Sequence, residues 1–170
     1  AALYNEVESY FATPSDFIAS PGKWFQQISE TKTTVIMGPN FLYRNLVKRI
    51  SGDDKKSLDL SHLRLALSGA EPVSRSICAE FLDYFREQGL KSSVIFPVYG
   101  MAENTLAVTF PKVGVDFRSL QLNRERLAQG ICEKQDAKDF AIKSANDLEF
   151  VSCGFPLRGI ELRIAGTDGQ

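Results

Sequence analysis

Histidine and cysteine are scarce, and their scarcity removes most side-chain catalysis from the outset. The 170 residues hold one His and three Cys. The histidine, His62, stands between Ser61 and Leu63 in an expected loop, and any Ser-His-Asp or Cys-His arrangement would have to use it. No GxSxG elbow offers it a nucleophile, and one histidine cannot build a histidine metal centre. The cysteines, Cys78, Cys132 and Cys153, are odd in number and show no CxxC spacing. Neither a disulfide framework nor a cysteine zinc site is expected; they read as small buried hydrophobes in a reducing, cytoplasmic setting. Charge of one sign is also missing: 20 Lys plus Arg against 21 Asp plus Glu leave −1, so no nucleic-acid partner is expected. No apolar run approaches the roughly 20 residues of a membrane span. The opening Ala1-Ala2-Leu3-Tyr4-Asn5-Glu6 lacks the basic region and apolar stretch of a signal peptide. There is no GxGxxG. Gly154-Phe155-Pro156-Leu157-Arg158-Gly159 spaces two Gly like a P-loop, but Ile160-Glu161 follow where Lys and Ser or Thr would be needed.

What remains is ordinary globular material. With 44% hydrophobic and 24% charged residues, the chain can fill a core of about one domain. The absence of a first Met (which Met removal would also explain) and the turn-like end Gly166-Thr167-Asp168-Gly169-Gln170 suggest that 1–170 is a single partial domain.

Helical and extended patterns alternate along the chain. Ser20-Pro21 suits a helix start, with Ser as cap and Pro in the first turn; Trp24, Phe25 and Ile28 share a face up to about Glu30. Thr33-Thr34-Val35-Ile36-Met37 reads as a buried strand broken by Gly38-Pro39. Asn40 can cap a second helix, with Phe41, Leu42, Leu46, Val47 and Ile50 on its apolar side. Residues 51–57 read as a solvated connection. Leu63-Arg64-Leu65-Ala66-Leu67-Ser68 is a strand, and a helix is expected over 73–88, with Gly89 as its stop. Ser93-Val94-Ile95-Phe96-Pro97-Val98 is a third strand, irregular at Pro97. Residues 111–147 are polar and aperiodic, with one short helix candidate at 124–129, and read as an insertion or loop region. Arg118, Arg124 and Arg126 are interspersed there with Glu125, Glu133 and Asp136, as on a solvated face. Strands at 148–153 and 160–164 are expected to close the chain as a hairpin. The fold class is α/β: a mixed, largely parallel sheet flanked by helices, plus a C-terminal β-hairpin.

In open α/β sheets ligands gather at the carboxyl ends of strands, and two such ends carry unusual loops. Gly69-Ala70-Glu71-Pro72 would let a flat ring approach the backbone. Tyr99-Gly100-Met101-Ala102-Glu103 offers an aromatic face, a close backbone approach and a hard anionic oxygen. Residue types alone leave the bland reading open: a strand-end Gly can simply admit a helix, and a Tyr at a sheet rim can simply pack.

Ser68-Gly69-Ala70-Glu71-Pro72, followed by Phe96-Pro97-Val98-Tyr99-Gly100-Met101-Ala102-Glu103-Asn104-Thr105, resembles the adenylate-forming superfamily, which includes acyl-CoA synthetases, luciferases and peptide-synthetase adenylation domains. Ser20-Pro21 with Trp24, Gly38-Pro39-Asn40-Phe41-Leu42-Tyr43, Leu58-Asp59-Leu60-Ser61 and Val151-Ser152-Cys153-Gly154-Phe155-Pro156 recur in the family's order. Together they are most similar to the fatty acyl-AMP ligases. The resemblance implies part of a large N-terminal domain in which Gly69, Ala70 and Glu71 line an adenine pocket, Tyr99 stacks on the ring, and Gly100, Met101 and Ala102 wrap the adenosine and α-phosphate. Ala102 replaces the Thr of many relatives, losing one hydroxyl contact. Glu103 would hold Mg²⁺, and Gly38, Pro39, Asn40 and Phe41 would wall an acyl pocket. Residues 111–147 fall where the ligase subfamily carries sequence that disfavours transfer to CoA. The implied reaction uses ATP and a fatty acid, with an acyl carrier protein or a polyketide or peptide synthase module as acceptor. The phosphate-binding loop, the ribose-holding acid and the catalytic Lys would lie outside residues 1–170, so the isolated chain is expected to be inactive. The competing readings are part of an acyl-CoA ligase and a non-catalytic α/β interaction module.

Overall fold

A computed structural model describes residues 4–132 and 146–166. The first helix, α1 (Pro14–Ala19), starts at a capping box: the Asp16 N–H donates to the Thr13 hydroxyl at 3.2 Å, and the Thr13 N–H donates to the Asp16 carboxylate. Helix α2 (Pro21–Glu30) begins on Pro21 as expected, and Phe25 and Ile28 are its buried residues beyond the first. Ser20, expected to cap it by side chain, makes no such bond; its N–H instead closes α1 on the Asp16 carbonyl.

Then follow β1 (Val35–Gly38), α3 (Asn40–Arg49), α4 (Gly52–Lys56), β2 (Leu65–Ser68), α5 (Arg75–Tyr84) and β3 (Ile95–Pro97). The expected solvated connection contains one exposed helical turn, α4, and remains solvated. Helix α5 is shorter than its apolar pattern: the chain tightens into a 3₁₀ turn, Arg86–Gln88, before Gly89 turns left-handed at φ +83°.

The three strands pair in parallel, β1 with β2 and β2 with β3, so that Gly38 lies opposite Ser68 and Ser68 opposite Pro97. Pro97 has no N–H to give, and the next donor, Val98, reaches the Ser68 carbonyl at 2.8 Å. Ile36 and Ala66 point to the core, where α2, α3 and α5 bring Phe25, Tyr43, Phe81 and Phe85 together. Their ring centroids stand 5.0 Å apart for Phe25–Phe85 and 5.1 Å for Tyr43–Phe81, both edge-on. The Tyr43 hydroxyl donates to the Leu67 carbonyl at 2.6 Å, and burial lifts its phenol far above the ordinary range. Alternation sends Val35 and Met37 to the other face of β1, where they are 42% and 68% exposed.

Beyond β3 the pairing changes sense. Strand β4 (Tyr99–Met101) is antiparallel to β5 (Leu106–Phe110), whose other edge takes β8 (Phe155–Pro156). Strand β6 (Ser119–Asn123) pairs with β7 (Asp147–Val151), and α6 (Arg124–Ala128) fills the short helix expected at 124–129, capped by the Asn123 side chain. The α/β class and the helix-flanked parallel sheet hold, while the antiparallel strands form two small separate sheets.

The expected C-terminal β-hairpin does not form. Strand β7 is taken by β6, and residues 160–166 adopt no strand. Gly154 explains the redirection: at φ +85°, a Cβ there would lie 2.1 Å from the Phe110 carbonyl oxygen, so the chain is pressed against the end of β5 and continues along it. Residues 133–145 of the expected insertion lie outside the described residues. The β6–β7 pair is tied to α5 by the mostly buried Arg75–Glu149 ion pair, Nε to Oε1 3.3 Å, and Glu149 also accepts from the Ser119 hydroxyl at 2.9 Å. No helix among the described residues is long and apolar enough to cross a membrane.

Candidate functional site

Parallel pairing makes all three strands end on the same edge of the sheet, and each ending delivers one of the loops singled out from the sequence. Gly38-Pro39-Asn40-Phe41 leaves β1, Gly69-Ala70-Glu71-Pro72 leaves β2, and Val98-Tyr99 leaves β3. The last two touch. A Cβ on Gly69 would lie 2.8 Å from the Val98 Cγ2 and 2.9 Å from the Val98 carbonyl oxygen. Gly69 is therefore what lets the two turns abut. Its neighbour Ala70 is left-handed at φ +67°, an unusual conformation for a residue with a Cβ.

Tyr99 is 46% exposed at this rim, and its hydroxyl lies 3.6 Å from the Met101 sulfur, two residues along the same face of β4. Gly100 has a structural duty: a Cβ there would fall 1.9 Å from the Leu106 carbonyl oxygen, so the missing side chain is what closes β4 on β5. Gly38 likewise makes room for Leu42, whose Cδ1 would stand 2.6 Å from an added Cβ. Ala102 and Glu103 lie exposed in a 3₁₀ turn, Ala102–Asn104. That turn runs into left-handed Thr105 and Leu106, at φ +51° and +82°, and is fastened by the Asn104 side-chain amide donating to the Ala107 carbonyl at 2.9 Å. Glu103 has no ion-pair partner among the described residues, and no cluster of three metal-ligating groups occurs among them.

The third loop departs from expectation. Asn40 does not cap α3; Pro39 holds the cap position and Asn40 is the first helical residue. Its backbone N–H donates to the Glu71 carboxylate at 2.8 Å, and its side chain bridges the Pro72 carbonyl and the Ser74 N–H, each at 2.9 Å. The Glu71 carboxylate is thus engaged at the start of α3. Nothing in local sequence signals contacts between residues 31 to 34 positions apart. Phe41 is exposed and meets Phe17 edge-on at 6.3 Å.

The His62 Nε2 is 3.2 Å from the Ile28 carbonyl, a structural contact. The three cysteines are unpaired; Cys78 is fully buried, and burial pushes its thiol up to about 12, but Cys132 is exposed and Cys153 half-buried, so only Cys78 is the buried hydrophobe expected of all three. A cavity of about 710 Å³ opens elsewhere, between α5 and the segment entering β6, lined in part by Arg75, Leu82, Phe117 and Arg118; none of its lining residues belongs to the rim.

A parallel α/β layer with its loops gathered on the carboxyl edge is the arrangement in which open sheets take nucleotide-like ligands. The AMP-binding enzyme family matches residues 1–170, and the chain belongs to that family. It is 33% identical over 164 residues, 95% of its length, to the medium-chain-fatty-acid–[acyl-carrier-protein] ligase JamA of Moorena producens, covering 27% of that protein. It is 32% identical over 149 residues to the long-chain-fatty-acid–AMP ligase FadD32 of Mycobacterium marinum, covering 85% of this chain and 23% of the relative. Among solved structures, the fatty acid AMP ligase from Legionella pneumophila superposes over 98% of this chain and 28% of its own, with 32% identity and a TM-score of 0.86. The chain thus spans about a quarter of the length of these relatives.

Proposed function

We propose that the chain is part of a fatty acyl-AMP ligase that activates a fatty carboxylate as an acyl-adenylate and passes the acyl group to the thiol of an acyl carrier protein. The observation that supports this most is the meeting of the Gly69–Pro72 turn with the Tyr99 turn at one sheet edge, where Tyr99 is partly exposed and the 3₁₀ turn after β4 carries an exposed Glu103 with no ion-pair partner among the described residues. In this reading Gly69 and Ala70 line the adenine pocket with backbone groups and Glu71 holds that turn in shape. Tyr99 stacks on the purine, and Gly100, Met101 and Ala102 follow the adenosine towards its α-phosphate. Phe41, with Gly38 and Pro39, borders the acyl chain.

The chemistry asks little of side chains. A carboxylate oxygen of the fatty acid attacks the α-phosphorus of ATP, the bond to the β-phosphate bridging oxygen breaks, and pyrophosphate carries off the electron pair. With a carboxylate pKa of about 4–5, the nucleophile is already ionised at neutral pH and needs no general base. A chain with one structural histidine suits such a reaction. Mg²⁺ is commonly held by one or two carboxylates with water and substrate phosphates completing its shell, and the lone exposed Glu103 fits that donor set. The ion would supply neutralisation of phosphate charge. The carrier protein as acceptor, a polyketide or peptide synthase setting and a cytoplasmic location follow from the same reading, as does the role of residues 111–147 as a subfamily insertion.

The test is titration of the intact enzyme with an acyl-sulfamoyl-adenosine, followed by a CoA acceptance assay. A rise in thermal midpoint with no acyl-CoA formed is the expected pair of results. Acyl-CoA formation would move the assignment to an acyl-CoA ligase, and an unmoved midpoint would make the fold a non-catalytic module. Residues 1–170 alone are expected to give no pyrophosphate exchange above background.

A further inference from the structure

We infer that Asn40 and Glu71 form a reciprocal clasp that couples the loop after β1 to the loop after β2, which makes Asn40 a positioning residue for the nucleotide turn and not a wall of the acyl pocket. The inference rests on the proposed adenylation at this rim and deepens it.

Each helix that leaves the rim is started by the other helix's loop. The N-terminus of α3 presents unsatisfied N–H groups and the positive end of its dipole, and Pro39 at the cap has no side-chain acceptor. Glu71, from the other loop, supplies an anionic oxygen 2.8 Å from the Asn40 N–H. At the start of α5, the cap residue Ser74 makes no side-chain cap bond. Its own N–H is accepted at 2.9 Å by the Asn40 Oδ1, while the Asn40 Nδ2 donates to the Pro72 carbonyl at 2.9 Å. One residue of each loop thus satisfies the other loop's backbone, through three bonds bridging 31 to 34 residues of sequence.

The position of these bonds gives the clasp its consequence. Pro72 has no N–H, Ala70 is left-handed, and Gly69 is pressed against Val98. No backbone hydrogen bond joins residues 69–73 to one another, and Asn40 holds the segment from outside. Both polar ends of the Asn40 amide are occupied, so that amide is spent on the turn. Phe41, the next residue, stays exposed, so the β1 loop presents an aromatic ring to a ligand while its asparagine grips the neighbouring turn. Displacing the first loop displaces Glu71 and Pro72, and with them the backbone beside Tyr99. Occupancy at one loop must then change affinity at the other, and the effect must be reciprocal.

The experiment uses the full-length enzyme, with wild type, Asn40→Ala, Glu71→Ala, Glu71→Gln and the Asn40→Ala/Glu71→Ala double variant. Two quantities are measured: fatty-acid-dependent ATP–pyrophosphate exchange, and calorimetric affinity for a non-hydrolysable ATP analogue with and without a fatty acid. Asn40→Ala removes both side-chain hydrogen bonds and should raise KM for ATP about 5- to 150-fold. It should leave kcat within about twofold and abolish the fatty acid's effect on analogue affinity. Glu71→Gln keeps an acceptor oxygen and should stay near wild type where Glu71→Ala does not. The double variant should be no worse than the worse single one, as for two halves of one device. A change confined to KM for the fatty acid, or additive single effects, would overturn the clasp and return Asn40 to the pocket wall. If wild type binds the analogue but shows no fatty-acid-dependent exchange, the ligase reading fails while the clasp is still judged by the affinity ratios. Should Asn40→Ala fail to fold, the Glu71→Gln and Glu71→Ala pair carries the test.

Discussion

Replacing Gly100 with alanine puts a carbon 1.9 Å from the Leu106 carbonyl oxygen and 2.9 Å from its carbonyl carbon. Both atoms are backbone, so no side-chain rotation relieves the clash; β4 and β5 must separate locally by more than an ångström. Gly100 pairs with Ala107, next to a register shift between Tyr99 and Gly100, so the separation falls at the weakest point of the ladder. Overpacking of this kind costs about 1–3 kcal/mol. One or two lost ladder bonds add about 1 kcal/mol each. The local cost is then about 2–5 kcal/mol, which is roughly a 30- to 5,000-fold loss of amide protection. Native-state hydrogen exchange over residues 99–110 reads this directly in the intact enzyme. ATP affinity should fall with it, because Tyr99 rides on the same strand. Gly22→Ala is the control: the nearest atom to its Cβ is the Ile50 Cγ1 at 4.0 Å, in a helix that favours alanine over glycine by about 0.5–1 kcal/mol. If Gly100→Ala keeps wild-type protection across the hairpin, the reasoning from close approach is wrong.

Three further outcomes can be checked together. Tyr99→Ala removes a stacking face worth about 1–3 kcal/mol and should weaken ATP binding about 5- to 150-fold, read by calorimetry; an unchanged affinity would take the ring out of the site. Glu103→Ala in the intact enzyme should lower the adenylation rate about 10²- to 10³-fold at saturating ATP and Mg²⁺, and a rate within a factor of two of wild type would reject its role. Cys78, held neutral by burial at about 12, should resist alkylation in the native state at pH 8.5, where exposed Cys132 is modified. Its folded value lies above the ordinary thiol value of 9.0, so its contribution to stability is complete below pH 9 and is lost as pH rises from 9 towards 12. Equal labelling of Cys78 and Cys132 in the native protein would contradict that burial.

The parallel layer was readable because its signals are local and redundant. Val35, Ile36, Ala66 and Ile95 sit in β-branched or apolar runs, Gly38 and Gly89 end elements, and the helices between carry apolar faces such as Ile77-Phe81-Phe85. The rim followed at once, because parallel strands separated by helices must end on one edge. The antiparallel part was not readable, for three different reasons. Strand β4 is three residues long, and its turn uses left-handed Thr105 and Leu106 where glycine or asparagine would have marked it. The partner of β7 is 24 or more residues away, so periodicity could find the strand but not its mate. Residues 160–164 alternate like a strand, yet Gly154 has already committed the chain to β5. At the site, residue types suggested what each loop offers, but Asn40 looked like a local cap because its bonding partners are distant in sequence.

The outer face of β1 has a practical corollary. Sheets of parallel strands are normally sheathed on both sides, yet Val35 and Met37 meet solvent and β1 has no neighbour on its far edge among the described residues. A recombinant polypeptide limited to these 170 amino acids would carry an oily stripe beside unspent amide and carbonyl groups, the combination that invites strand-to-strand stacking between copies. Its solubility should therefore fall steeply with concentration, and a charged residue at position 37 is the simplest remedy for anyone who needs the piece in isolation.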